Sequence, residues 1–259
     1  MTHYIEKGEG EPVILLHGFF YYSYLWVENI DYLAERFKVY ALDFWGFGYS
    51  TREPMDYGYQ LFADQVLKFM DALGIERASL VGQSMGGGTA ILFATQHRER
   101  VSKLVLVDPG GMPQPAPTVT KFFTLPKIGE FLLGLKTDAI RKNVLKGTFF
   151  YDKDVVTDSY YQNVIRPAKI AGTTEASLSM LRKNFFYTLG DEIRELAQLD
   201  IPILIVFGRE DKAIPAQRGE EMHDICTGSC LEIIENASHV PNYEQAGTFN
   251  RMAMDFLTA

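Results

Sequence analysis

Short unbroken apolar runs alternate along the chain with longer stretches in which apolar residues recur at helical spacing. The runs cover residues 13–16, 37–42, 78–81, 101–107, 201–207 and 231–234. Each is too short for a helix and rich in β-branched or aliphatic residues, so each predicts a strand. The lack of polar alternation within them predicts strands covered on both faces. Residues 59–73 place Leu61, Phe62, Val66, Phe69, Met70 and Leu73 at helical spacing and stop before Gly74, which predicts a helix closed by glycine. Residues 85–96 and 242–257 also predict helices, the latter amphipathic. This alternation predicts an α/β fold: a mostly parallel, doubly wound sheet of seven or eight strands. His3-Tyr4-Ile5-Glu6-Lys7, turned by Gly8-Glu9-Gly10, adds a short edge strand.

The alternation stops between Pro109 and Gln198. This stretch opens with Pro109-Gly110-Gly111-Met112-Pro113 and continues in helix-like patterns with no convincing strand. It is far longer than an ordinary connection. The expected organisation is a core of residues 1–110 and 196–259 carrying an all-helical cap of residues 111–195. Both ends of the cap join strands at their C-terminal ends, so the cap should roof that edge of the sheet, with hinges at the Pro-Gly-Gly-Met-Pro segment and Gly190.

Composition changes the picture only by exclusion. A chain with 47% hydrophobic and 22% charged residues has the material for a sizeable core and is not a disordered or disulfide-built scaffold. A net charge of −8 repels phosphate backbones, so nucleic acid is not an expected partner. No apolar run approaches the roughly 18 residues of a membrane span. The N-terminus lacks a basic segment followed by an apolar one, as a signal peptide requires. With two cysteines, Cys226 and Cys230, and no zinc-type spacing, the reading is a cytoplasmic protein, monomer or homodimer, without metal or cofactor.

The chemistry centres on Gly82-Gln83-Ser84-Met85-Gly86, a G-x-S-x-G run between a predicted strand and a predicted helix. A sharp turn there lifts the serine hydroxyl clear of the sheet. A serine needs a base. Of His3, His17, His97, His223 and His239, His239 follows the last strand, on the edge where open α/β sheets build their sites. The base needs a carboxylate. Asp211 follows the strand of residues 201–207, with Glu210 its neighbour. Asp108 follows an earlier strand and reads as a cap on the turn before Pro109. The order Ser84, Asp211, His239 is the order expected of this architecture. The backbone N–H groups of Phe19 and Met85 are the expected oxyanion donors, with His17 bracing their loop.

Together Leu15-Leu16-His17-Gly18-Phe19, Asp43-Phe44-Trp45-Gly46-Phe47-Gly48-Tyr49-Ser50, the Ser84 turn, Gly208 with Asp211, and Ser238-His239 resemble the α/β-hydrolases with a helical cap. The resemblance implies a serine hydrolase that works through an acyl-enzyme. Ser84 stands where haloalkane dehalogenases and epoxide hydrolases carry Asp. The Ser84-Met85-Gly86-Gly87 and Val107-Asp108-Pro109-Gly110-Gly111 segments resemble carbon–carbon hydrolases of meta-ring-fission products. Those enzymes usually have Asn before the serine and Trp after the histidine, where this chain has Gln83 and Val240. Gln83 is common in related carboxylesterases. The expectation is therefore a carboxylesterase for small to medium apolar or aromatic esters. Carbon–carbon hydrolysis is the alternative, and a ligand sensor with slow turnover is a third reading. Phe20, Gln83, Phe149, Phe186 and Val240 are the expected pocket residues, within an aromatic-rich supply that includes Phe122, Phe123, Phe150, Phe185 and Tyr187. Arg166 and Arg182 read as solvated helix positions.

Overall fold

The computed structural model describes residues 1–113, 125, 127–134, 138–183 and 188–259. The predicted runs form seven strands: β1 (Tyr4–Lys7), β2 (Glu11–Leu16), β3 (Phe37–Leu42), β4 (Ala78–Gln83), β5 (Val101–Val107), β6 (Ile203–Gly208) and β7 (Cys230–Ile234). They make one sheet in the order β1-β3-β2-β4-β5-β6-β7. Only β1 runs antiparallel to its neighbour; the other pairs are parallel. The chain winds outward from β2 to β3 and then in the other direction through β4 to β7. The crevice between β2 and β4 is thus the switch point where such sheets bind ligands.

Side-chain alternation divides the core in two. Ile14, Leu16, Leu80, Leu104 and Ile205 pack on one face with residues such as Phe62 and Phe93. Val13, Leu15, Val81, Val105 and Val206 pack on the other with Trp26 and Phe249. This is why β2 to β6 carry little polar alternation: both of their faces are covered, whereas the edge strand β7 leaves Cys230 and Glu232 exposed.

The helices in chain order are α1 (Ile30–Leu33), α2 (Tyr59–Leu73), α3 (Met85–Gln96), α4 (Ile128–Gly134), α5 (Asp138–Phe149), α6 (Asp158–Ile165), α7 (Thr173–Arg182), α8 (Gly190–Leu196), α9 (Gln217–Ile225), α10 (Pro241–Glu244) and α11 (Ala246–Thr258). Helices α4 to α8 fall between β5 and β6 and, among the described residues, no strand interrupts them. The C-terminal segment is two helices rather than one. Gln245, at φ −120° and ψ 45°, breaks it, and its side-chain amide donates to the Asn236 carbonyl at 3.0 Å. No helix among the described residues is long and apolar enough to cross a membrane.

Candidate active site

Ser84 joins β4 to α3 with φ 52° and ψ −112°, a region that L-residues rarely occupy. The tightness of the turn explains its glycines. A Cβ on Gly86 would lie 2.1 Å from the Leu16 carbonyl oxygen. On the other side of the crevice a Cβ on Gly18 would lie 2.0 Å from the Gln83 side-chain oxygen and 3.2 Å from the Ser84 Cβ. The loop after β2 therefore lies directly against Ser84 at Gly18, the residue before Phe19. Met85 opens α3, where helix amides have no acceptor within the helix.

The loops after β6 and β7 bring Asp211 and His239 together. His239 Nδ1 lies 2.7 Å from Asp211 Oδ2, and both side chains are buried. The other Asp211 oxygen accepts the backbone N–H groups of Ala213 at 2.7 Å and Ile214 at 3.0 Å. A carboxylate held by three donors fixes the ring with Nδ1–H toward Asp211, leaving Nε2 free to accept a proton. The Gln83 side-chain amide donates to the His239 carbonyl at 2.6 Å. The residue next to Ser84 thereby holds the backbone of His239 in place.

Asp108 is fully buried. It accepts the Gly208 amide at 3.0 Å, tying the end of β5 to the end of β6 rather than capping its own turn. Its pKa stands well above the usual carboxylate range because of burial and then the neighbouring Asp211 charge. The Asp108, Asp211 and His239 ligand atoms lie within 4.8 Å of one another, which makes them the closest approach to a metal-type cluster among the described residues. Asp211 and His239 are nevertheless already engaged with each other.

His17 lies beneath this edge. Its Nδ1 meets the Gly18 carbonyl at 2.8 Å, and its Nε2 accepts the Phe44 amide at 3.0 Å. Burial pushes its pKa down to about 4, so it sits as a neutral brace between two loops.

Above the site, the Phe149 ring is 5.2 Å from the His239 ring. It also lines a cavity of about 110 Å³ together with Phe20, Val144, Leu145, Val164 and Arg141. Phe20 and Phe149 thus face the cavity. Gln83 and Val240 do not line it; both are buried in the core beside His239. Phe186, like Phe122, Phe123, Phe185 and Tyr187, lies outside the described residues. Phe150 is buried against Tyr160 and Tyr243, away from the cavity lining. Arg182 pairs with Glu130 at 2.8 Å, and Arg166 reaches Asn163 at 3.3 Å on an exposed surface. Arg141 on the cavity wall was not visible in the sequence, because nothing in the spacing of α5 marks it.

Glu244 on α10 joins the insertion to the loop that carries His239. One of its oxygens accepts the Tyr151 and Asp152 amides at 2.7 and 3.1 Å, and the other accepts the Ser238 amide at 2.7 Å. Burial pushes its pKa up to about 7 against the pull of these three donors.

The alpha/beta hydrolase fold family matches residues 11–246 of the chain. The 2-hydroxy-6-oxo-6-phenylhexa-2,4-dienoate hydrolase of Comamonas testosteroni is 32% identical, over 99% of this chain and 91% of its own length. The 2-hydroxymuconate semialdehyde hydrolase of Pseudomonas sp. (strain CF600) is 30% identical, over 99% of this chain and 90% of its own length. The solved structure of a meta-cleavage product hydrolase from Pseudomonas fluorescens IP01 superposes with a TM-score of 0.86 at 28% identity, over 99% of this chain and 94% of that one. With its parallel sheet, strained Ser84 turn and paired Asp211 and His239, the chain belongs to the α/β-hydrolase fold family and is a hydrolase of the serine type.

Proposed function

We propose that the chain hydrolyses the carbon–carbon bond beside a ketone in a 2-hydroxy-6-oxo-dienoate. The observation that carries this reading is the near full-length likeness to the 2-hydroxy-6-oxo-6-phenylhexa-2,4-dienoate hydrolase. The sequence alone favours a carboxylic ester. The full-length relatives support the alternative, which adds a proton shift within the substrate and otherwise shares the acyl-enzyme steps with ester cleavage.

In this reading Ser84 Oγ adds to the ketone carbon while His239 Nε2 takes its proton. Asp211 stabilises the imidazolium through Nδ1–H. The Phe19 and Met85 amides hold the oxyanion. The substrate first shifts its 2-hydroxyl proton to C5, giving the keto tautomer, so the electron pair of the breaking C5–C6 bond is delocalised through the C3–C4 double bond into the 2-oxo group. His239 returns the proton to the departing fragment, and water then releases the acyl group from Ser84 with His239 again as base. The insertion roofs the site as a cap and keeps bulk water from the oxyanion.

Ester hydrolysis stands as the second reading because Gln83 and Val240 occupy the places where carbon–carbon hydrolases usually have Asn and Trp. The test is to follow the colour of methyl-ketone and phenyl-ketone dienoates while measuring acetate and benzoate release. Loss of dienoate colour with stoichiometric release of the matching acid, abolished in Ser84→Ala, is the expected result. No dienoate turnover beside rapid hydrolysis of p-nitrophenyl esters would select the ester reading.

A further inference from the structure

We propose that Glu244 is a positioning residue, its single carboxylate pinning the turn that follows Phe149 to the loop that carries His239. The inference rests on the hydrolase reading for its catalytic meaning but not for its geometry. One carboxylate oxygen takes two amides from the insertion, those of Tyr151 and Asp152, and the other takes the Ser238 amide of the loop after β7. A second tie runs parallel to it. The Ser238 hydroxyl lies 3.3 Å from the Thr148 carbonyl and 3.2 Å from the Glu210 carbonyl. Phe149 sits between Thr148 and Tyr151, so both of its flanks are fastened to the segment that holds His239.

The consequence falls on one side chain. Phe149 touches the His239 ring and also lines the cavity. Its backbone is set by Glu244, so the roof of the cavity and the orientation of the imidazole are set together. A carboxylate suits this task better than an amide. Each of its oxygens accepts, whereas Gln would turn an NH₂ group toward at least one of three N–H donors. The break at Gln245 has the same origin. The two short ties from Glu244 and Gln245 to residues 236–238 require α10 to end where it does instead of running into α11.

The test uses the full chain with Glu244→Gln and Glu244→Ala. The control is Glu235→Gln, which removes only an exposed pair with Arg209. Backbone hydrogen exchange read by mass spectrometry is the first measurement. Peptides spanning residues 148–153 and 236–240 should exchange about tenfold faster in both Glu244 variants, and by the same factor, with β4 and β5 unchanged, as a local opening requires. The second measurement is p-nitrophenyl butyrate hydrolysis. KM should rise about tenfold, a differential of about 1.4 kcal/mol, while a mere loss of folded protein would lower kcat at constant KM. Wild-type exchange in residues 148–153 of both variants would overturn the proposal, as would faster exchange there without any change in 236–240. If Glu244→Ala fails to fold, the isosteric Glu244→Gln decides. A wild-type chain that hydrolyses nothing would count against the hydrolase reading alone, because the exchange measurement does not involve turnover.

Discussion

Replacing Ser84 with Gly should make the protein more stable while abolishing its chemistry. Ser84 holds φ 52° and ψ −112°, outside even the left-handed helical region, where a non-glycine residue costs about 1–3 kcal/mol. Glycine removes that strain. It loses about 0.4–1 kcal/mol in return, because the unfolded chain gains freedom. No further loss arises from capping: Ser84 is the N-cap of α3, yet its side chain makes no cap hydrogen bond. The net expectation is a gain of about 1–2 kcal/mol for Ser84→Gly over Ser84→Ala, since alanine keeps the Cβ that causes the strain. Urea unfolding of the wild type and both variants, followed by circular dichroism, reads the difference as a shift in midpoint at constant slope. Equal stability of the Gly and Ala variants, or a less stable Gly variant, would refute the claim that this turn stores strain to present the hydroxyl.

Other outcomes follow from neighbouring residues. Asp211→Asn should lower kcat by about 10⁴ by leaving His239 in the wrong tautomer, whereas Asp108→Asn, which keeps a side-chain oxygen to accept the Gly208 amide, should cost far less; pre-steady-state kinetics on both variants checks this. His17 has its pKa lowered from 6.5 to about 4, so its contribution to stability is complete above pH 6.5 and is lost as the pH falls toward 4. The shift corresponds to about 3 kcal/mol, to be read as a steeper acid loss of urea midpoint in wild type than in His17→Gln. Phe149→Ala should change the ratio of kcat/KM for methyl- and phenyl-ketone dienoates by about tenfold, measured by colour loss, because this ring borders both His239 and the cavity.

The strands were legible because parallel strands covered on both faces leave unbroken apolar runs, and all seven coincide with such runs or with the short N-terminal segment. Ser84, Asp211 and His239 were legible as candidates because Ser84 directly follows β4 while Asp211 and His239 lie in the loops after β6 and β7, and the parallel strands deliver their C-terminal ends to one edge. The bond from the Gln83 amide to the backbone of His239, 156 positions away, was not legible. A side chain bonded to a remote carbonyl leaves no periodic trace. The same holds for Glu244, whose three donors are backbone groups that any residue would supply. The break at Gln245 was hidden because apolar residues keep helical spacing on both sides of it, while the ties to residues 236–238 that force it are tertiary. The helical character of the insertion was visible in its spacing, but the position of Arg141 on the cavity wall depends on how α5 packs, which spacing does not encode.

The reading of the reaction is tested most directly by a competition between two carbonyl substrates with the same acyl group. The methyl-ketone dienoate and p-nitrophenyl acetate both transfer acetyl to Ser84 and differ in the bond that breaks and the group that leaves. The account predicts a kcat/KM at least about a hundredfold higher for the dienoate, about 2.7 kcal/mol of differential transition-state binding, with both activities lost in Ser84→Ala. A kcat/KM for the ester that equals or exceeds that for the dienoate would contradict it.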